Sequence, residues 1–294
     1  MIQETRTALE RAIQAKAKLI KDLVGRDVSV LDEVHADSIA LDLGLTLLDV
    51  YKATLGLGIY PRRYLRNREG ISLQDQLKLA EAKVAVVGAG GLGGTVIQLL
   101  GRIGIGTLTV VDCDVFDETN LNRQVFCTRD WVGQPKALAV QTQLNSINPA
   151  VEVAAHIVRL DSANGPGILS GCQVIVDALD NVKDRLALEA LAKSMGVPFV
   201  HGALAGFEGQ LMTVFPEDPG LKQIYGSGDK SGGAAANRPE FLLGVPSITP
   251  SLVATLEAME VLKILLNRGT PFRNKMVYID LERGEWNQFR FEGE

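Results

Sequence analysis

Val84-Ala85-Val86-Val87-Gly88-Ala89-Gly90-Gly91-Leu92-Gly93 is the stretch on which the reading of this chain turns. Four apolar residues read as a buried strand, and three glycines at Gly88, Gly90 and Gly93 follow at once. Val96-Ile97-Gln98-Leu99-Leu100 then opens a helical run. Glycines placed between a strand and a helix let the backbone approach phosphates, and the helix N-terminus faces their negative charge. A second strand, Leu108-Thr109-Val110-Val111, ends in Asp112, about 20 residues on, the place of a ribose-binding acid. These residues point to a nucleotide site and leave its chemistry open.

The polar residues that follow narrow the chemistry. Asp112, Asp114, Asn120, Arg123, Gln124 and Lys136 crowd behind the second strand. A redox dinucleotide does not need an Arg, a Gln and a Lys there, whereas charge on a transferred or departing phosphate does. A third strand, Val174-Ile175-Val176-Asp177, runs into Ala178-Leu179-Asp180-Asn181. Carboxyl ends of neighbouring parallel strands converge on one crevice, so Asp180 is expected to face the same phosphates, where a hard carboxylate suits Mg²⁺.

The alternation continues along the chain. Strands are expected near 83–88, 107–112, 151–155, 173–178 and 198–202, with helices near 92–103, 136–147 and 182–195, giving a mostly parallel sheet flanked by helices. After Gly206 the pattern changes to Gln210–Phe215, then to a Gly/Ala-rich stretch over 218–237 read as a mobile loop crossing the site. Ser251–Leu266 patterns as a helix, and Met276–Asp280 with Glu285–Phe291 as a terminal hairpin turning at Glu282-Arg283-Gly284. At the other end, Leu9, Ile13, Ala17, Ile20 and Val24 recur at helical steps, so 4–24 reads as one amphipathic helix; Ser38–Leu55 is apolar on one side and helical in propensity, with Gly44 in its middle. The latter faintly has the form of a helix-turn-helix, but Leu47, Leu48, Asp49 and Tyr51 with a single Lys52 make a poor surface for base edges. The division is therefore a helical N-terminal extension over 1–60 and a Rossmann-like α/β domain over 61–294.

The ordered set of motifs resembles the ThiF/MoeB/HesA adenylyltransferases, relatives of the ubiquitin-activating enzymes. It comprises Arg63-Tyr64-Leu65-Arg66-Asn67, the Gly88–Gly93 loop, Asp112 through Gln124, Gly133-Gln134-Pro135-Lys136, Asp177–Asn181, His201-Gly202-Ala203 and Phe207-Glu208-Gly209-Gln210. The resemblance implies that amides around Gly91 hold the phosphates of ATP. Asp112 takes the ribose hydroxyls, Arg123 and Lys136 the phosphate chain, and Asp180 the Mg²⁺. Asp114, Asn120, Gln124 and Asn181 line the site. Arg66 matches an arginine that relatives supply from the other subunit of a homodimer. The implied reaction is attack by the C-terminal Gly carboxylate of a small ubiquitin-like sulfur carrier, of the molybdopterin or thiamine type, on the α-phosphate, releasing pyrophosphate. A peptide or a modified tRNA base as substrate, a nucleotide-binding homologue without turnover, and a nicotinamide or flavin oxidoreductase are the alternatives.

The departures carry weight too. Many relatives have two Cys-x-x-Cys pairs for zinc and a further catalytic cysteine, whereas this chain has Cys113, Cys127 and Cys172, none at zinc-ligand spacing. No zinc is expected, and the three thiols read as small buried hydrophobes. His35, His156 and His201 have no carboxylate or cysteine near them in sequence that would mark a catalytic set. A net charge of −5 argues against a general nucleic-acid binder, and the absence of a signal-like or 20-residue apolar run, with few cysteines, points to the cytoplasm.

Overall fold

The computed structural model describes residues 2–226 and 239–291. In chain order the elements are α1 (Ile2–Lys16), β1 (Lys18–Lys21), β2 (Asp27–Leu31), α2 (Glu33–Leu43), α3 (Leu47–Gly56), β3 (Tyr60–Pro61), α4 (Leu73–Glu81), β4 (Lys83–Val87), α5 (Gly91–Ile103), β5 (Thr107–Val111), α6 (Lys136–Ile147), β6 (Glu152–His156), α7 (Gly165–Ile168), β7 (Val174–Asp177), α8 (Val182–Ser194), β8 (Phe199–Ala205), β9 (Glu208–Val214), α9 (Lys222–Tyr225), α10 (Pro239–Leu243), α11 (Ile248–Leu266), β10 (Lys275–Asp280) and β11 (Glu285–Arg290).

Strands β4 and β7 are apolar almost throughout and buried on both faces, as parallel strands covered by helices on each side must be. The large sheet runs β11-β10-β9-β8-β7-β4-β5-β6, parallel from β8 to β6 and antiparallel from β8 to β11. Strand β4 is the switch point. The chain leaves it through α5 to β5 on one side, while β7 pairs on its other side. A ligand crevice forms outside the carboxyl ends at such a point. Helix α11 packs across α5 and β8 and closes one face with Val253, Ala254, Ala258 and Val261.

One N-terminal expectation needs correction. The helix expected over 4–24 stops at Lys16, and Lys18–Lys21 pairs antiparallel with Asp27–Leu31. Asp22 Oδ1 accepts from the amides of Val24 and Arg26, and Gly25 takes a positive φ of 82°. A turn that satisfies its own backbone in this way outcompetes another helical turn, and Val24 is left exposed. The helical segment Ser38–Leu55 forms two helices parted at Gly44. Gly44 closes α2 in the left-handed conformation, and Thr46 with Asp49 forms a capping box that starts α3. Of the side chains that a DNA-reading helix would have presented, Leu47, Leu48 and Tyr51 are packed inside, while Asp49 is exposed.

The N-terminal helices are keyed to the end of α6 through Tyr64. Its ring meets Tyr51 edge-on at 5.8 Å, and its hydroxyl accepts from Asn148 Nδ2 at 2.9 Å. Arg63 donates to the Ile147 carbonyl and pairs with Glu33. The segment before α4 is thus fixed from both sides. The Gly/Ala-rich stretch read as a loop begins with the short helix α9, and its part over 227–237 lies outside the described residues.

The glycine loop is sterically exacting at two positions. Gly88 has φ +99°, and a Cβ there would lie 2.4 Å from the Ala178 carbonyl oxygen. A Cβ on Gly93 would lie 1.9 Å from the Gly88 carbonyl oxygen and 2.8 Å from Ala178 Cβ. Both distances are below contact, so α5 can seat against β7 only without side chains there. Gly93→Ala is expected to lower unfolding free energy by about 1–3 kcal/mol, the usual cost of overpacking a rigid site. Urea unfolding monitored by tryptophan fluorescence checks this, and an unshifted midpoint contradicts it.

Candidate functional site

The carboxyl ends of β4, β5 and β7 open onto one cleft, lined among others by Gly88, Gly90, Gly91, Asp112, Asp114, Asn120, Arg123, Gln124, Lys136, Asp180 and Asn181. Sequence reasoning placed these residues together, and the structure does bring them together. Gly93 supports the loop from beneath, as its contacts with Gly88 and Ala178 require. Arg66 is not among the lining residues.

Gly90 precedes α5 without a side-chain cap, so the first amides of the helix point into the cleft with no side-chain acceptor from the capping position. Asp112 holds the loop in place: its Oδ2 accepts from the Ala89 amide at 2.6 Å and its Oδ1 from the Asp114 amide at 2.8 Å. Burial pushes this carboxyl above the usual carboxylate range, opposed by the Ala89 amide and the Lys136 charge. Each carboxylate oxygen still has a lone pair for an incoming hydroxyl.

Arg123 lies across Gly91, with its Cγ 3.2 Å from where a Cβ of that glycine would be. Its Nη1 donates to the Thr119 carbonyl at 3.0 Å and to Asn122 Oδ1 at 2.7 Å. Burial lowers its pKa, and among the described residues no carboxylate pairs with it. Gln124 is buried beside Gly90, and its Oε1 has no hydrogen-bond partner. Lys136 opens α6 and pairs with Asp114 at 3.0 Å, the lysine buried and the aspartate exposed. Asn120 and Asn181 are more committed. Asn120 Oδ1 accepts from the Asp117 amide and closes a loop of its own. Asn181 caps α8, accepting from the Asp184 amide at 2.9 Å, while its Nδ2 donates to Asp184 and Asp180. Asp180 itself is exposed at the mouth.

The arginines before α4 sort themselves. Arg62 pairs with Asp32, Arg63 with Glu33 and Arg68 with Asp22. Arg66 is exposed and has no carboxylate partner among the described residues. The cysteines sort too. Cys127 and Cys172 are buried as expected, but Cys113 is exposed on the cleft wall between Asp112 and Asp114. It follows the end of β5, where the strand leaves the core, so flanking a strand did not bury it. Among the described residues no three His, Cys, Asp or Glu side chains cluster as metal ligands.

Sequence reasoning missed a buried polar cluster behind the cleft. The register of β7 with β8 sets Asp177 opposite His201. His201 Nδ1 lies 2.7 Å from Asp177 Oδ2, and its Nε2 lies 3.1 Å from Tyr225 Oη. Arg185 donates to Tyr225 Oη at 3.2 Å, and Gln210 donates to the same oxygen. Burial lowers the His201 pKa despite Asp177. Because Tyr225 Oη already accepts from Arg185 and Gln210, its own proton is what it offers His201 Nε2, and Nδ1–H then faces Asp177. The signal was present in the aligned ends of two predicted parallel strands. Reading only neighbours in sequence hid it.

Comparison with known proteins agrees with this geometry. Residues 64–294 match the sequence profile of the ThiF family. The chain is 36% identical over 220 residues to the SAMP-activating enzyme E1 of Haloferax volcanii, covering 74% of this chain and 80% of that protein. It is 37% identical over 226 residues to the sulfur carrier protein adenylyltransferase of Thermus thermophilus, covering 75% and 82%. Among solved structures, E. coli MccB with ATP superposes with a TM-score of 0.67 at 20% identity, covering 79% of this chain and 72% of that one. The chain belongs to the ThiF family.

Glu257 on α11 is fully buried, and neither of its carboxylate oxygens has a hydrogen-bond partner. Burial, then the Asp177 charge, raises its pKa well above the ordinary value. Below about pH 4.3 both folded and unfolded chains carry the proton. Above it the unfolded chain ionises first, so stability falls with rising pH by about 1.4 kcal/mol per unit across the window. Glu257→Gln is expected to flatten that decline. Denaturant unfolding between pH 5 and 8 checks it, and an unchanged slope contradicts it.

Proposed function

We propose that this ThiF-family adenylyltransferase binds ATP in the cleft at the carboxyl ends of β4, β5 and β7 and activates the C-terminal Gly carboxylate of a small ubiquitin-like sulfur carrier. The observation that carries the reading is Arg123, a partly buried cation lying across the glycine loop with no carboxylate partner among the described residues. Such a group is in place for a bound anion, and the open N-terminus of α5 beside it favours the same charge.

In this reading the amides at Gly90 and Gly91 hold the phosphates, and Asp112 accepts from the ribose hydroxyls with its remaining lone pairs. Arg123 and Lys136 bind the phosphate chain, with Lys136 exchanging part of its pairing with Asp114 for phosphate oxygen. The carrier carboxylate is ionised at neutral pH and needs no protein base. Its oxygen attacks the α-phosphorus, the bond to the bridging oxygen of the pyrophosphate breaks, and acyl-adenylate and pyrophosphate result. Arg123 and Lys136 offset the charge that accumulates on the leaving group.

The site also suits Mg²⁺. That ion is commonly held by one or two carboxylates with substrate phosphates completing the shell, and Asp180 offers one hard carboxylate at the mouth. Bound there, the ion would neutralise phosphate charge. The cleft volume of about 1940 Å³ is roughly twice the upper end usual for small-molecule sites. Room for an extended carrier tail therefore remains beside a nucleotide. Nothing in this step calls on Cys113, Cys127 or Cys172, and no zinc is part of the proposal.

Asp180→Ala and Arg123→Ala are each expected to slow carrier-dependent ATP–pyrophosphate exchange about a hundred- to a thousandfold, the usual effect of losing one such charge-stabilising group. Near-normal exchange in both variants would overturn the assignment.

We further propose a homodimer in which Arg66 reaches the partner's cleft. Its neighbours Arg62, Arg63 and Arg68 are occupied within their own subunit, and Arg66 is exposed away from its own cleft. Mixing Arg66→Ala chains with Asp180→Ala chains is expected to restore about half the wild-type exchange per mixed dimer, because one of the two sites then carries neither defect. Demonstrated heterodimers without restored exchange would show that Arg66 acts elsewhere.

A further inference from the structure

Asp180 stands on a three-residue turn, Ala178–Asp180, that leaves β7 at the cleft edge. Both backbone groups of its middle residue are held from behind by charged side chains. The Leu179 amide donates to Asp177 Oδ1 at 2.9 Å. The Leu179 carbonyl accepts from Arg185 Nε at 3.1 Å and from Arg185 Nη2 at 2.5 Å. On the other side of the turn, the Ala178 amide donates to the Val87 carbonyl at 2.9 Å, and Ala178 lies against Gly88 and Gly93. The two successive peptide units on either side of Leu179 therefore join the glycine loop to the acid at the mouth.

The groups that hold Leu179 are themselves fixed. Asp177 Oδ2 accepts a hydrogen bond from His201 Nδ1–H, and the guanidinium of Arg185 lies 4.0 Å from the same oxygen. Tyr225 Oη donates to His201 Nε2 and accepts from Arg185 and Gln210, which uses its one proton and both lone pairs. Asp177 and His201 are fully buried and Arg185 is 9% exposed. Buried charged clusters of this kind add little stability over apolar packing of the same volume, so stability alone does not account for an arginine and an aspartate here. Their bonds end on the peptide that aims Asp180.

We propose that Arg185, Asp177 and His201 are positioning residues that clamp the Leu179 peptide and so fix the Asp180 carboxylate relative to the glycine loop. The proposal rests on the reading that Asp180 serves the bound nucleotide. Asp177 and His201 lie behind the cleft, and Arg185, which reaches its wall, spends its Nε and Nη2 on the Leu179 carbonyl; all three act on Asp180 through the backbone. Misplacing a reacting group by about 1 Å can cost on the order of a hundredfold in rate, so a loosened turn is read in kcat rather than in nucleotide binding.

The test is Arg185→Met, which keeps the length of the side chain and removes both bonds to the Leu179 carbonyl. Amide hydrogen exchange followed by mass spectrometry over residues 177–182 reads the clamp without any turnover. Exchange there is expected to rise at least tenfold while β4 and β5 keep wild-type protection. In pyrophosphate exchange, kcat is expected to fall about ten- to a hundredfold, KM for ATP to change less than threefold, and the Mg²⁺ concentration for half-maximal rate to rise severalfold. Arg185→Lys, which can still reach one carbonyl lone pair, should recover part of kcat. Should Arg185→Met not fold, His201→Ala, which leaves Asp177 without its histidine partner, is expected to loosen 177–182 in the same selective way. Unchanged protection over 177–182 in folded variants would overturn the clamp, as would protection lost equally across the sheet. A wild-type chain with a protected turn but no carrier-dependent exchange would instead sink the functional reading and leave the clamp standing.

Discussion

The absence of a side chain at Gly93 is the constraint on which the rest of the site depends. Because a Cβ there would sit 1.9 Å from the Gly88 carbonyl oxygen, only glycine lets α5 begin where it does. With the helix in that position its first amides face the cleft, Asp112 can reach the Ala89 amide, and Ala178 can fill the space between loop and β7. Any residue larger than glycine would push the start of α5 away from the Gly88 carbonyl and Ala178. The site is thus assembled by exclusion as much as by attraction. Hydrogen bonds then fix what the close packing has brought within reach.

Much of this was legible in the sequence, for physical reasons that differ by region. In the central sheet, apolar runs such as Val84–Val87 have one stable fate, since a strand covered on both faces must be apolar throughout. Their ends therefore place Asp112 and Asp180 at one edge. At the N-terminus the same reasoning failed. Leu9, Ile13 and Ala17 are helical, but Ile20 and Val24 merely continue the spacing while the chain turns at Asp22–Gly25. Weakly apolar periodicity is easily overridden by a turn whose side chain satisfies the backbone, and Gly44 divided the next helix by the same kind of local effect. Cys113 shows the converse error, because adjacency to a buried strand says nothing of the first residue beyond it.

What the sequence could not display is pairing across strands. Asp177 and His201 are far apart in the chain and opposite in the sheet, and Tyr225 reaches them from α9. Such a cluster is visible only once the register of β7 and β8 is known. Asn120 and Asn181 teach a related lesson. Both line the cleft, yet their side chains are largely engaged in holding a loop and a helix start. Position in a motif identifies the wall of a site more securely than it identifies the hand that grips the ligand.

The electrostatics of the cleft follow from these commitments. The chain as a whole is acidic, with a net charge of −5, so attraction for an anion has to be local. It comes from the uncapped start of α5, from Arg123 beside it, and from Lys136. That lysine sits at the first turn of α6, where the helix dipole disfavours a cation by about 0.3–1 kcal/mol. Asp114 offsets this misfit by pairing with it at 3.0 Å while remaining largely in water itself. An exposed carboxylate loses little when displaced, because water can take over its solvation. The buried lysine has no such substitute and depends on an anionic partner. The pair thus keeps a cation in a position that helix electrostatics alone would not favour, and leaves it able to exchange one anion for another.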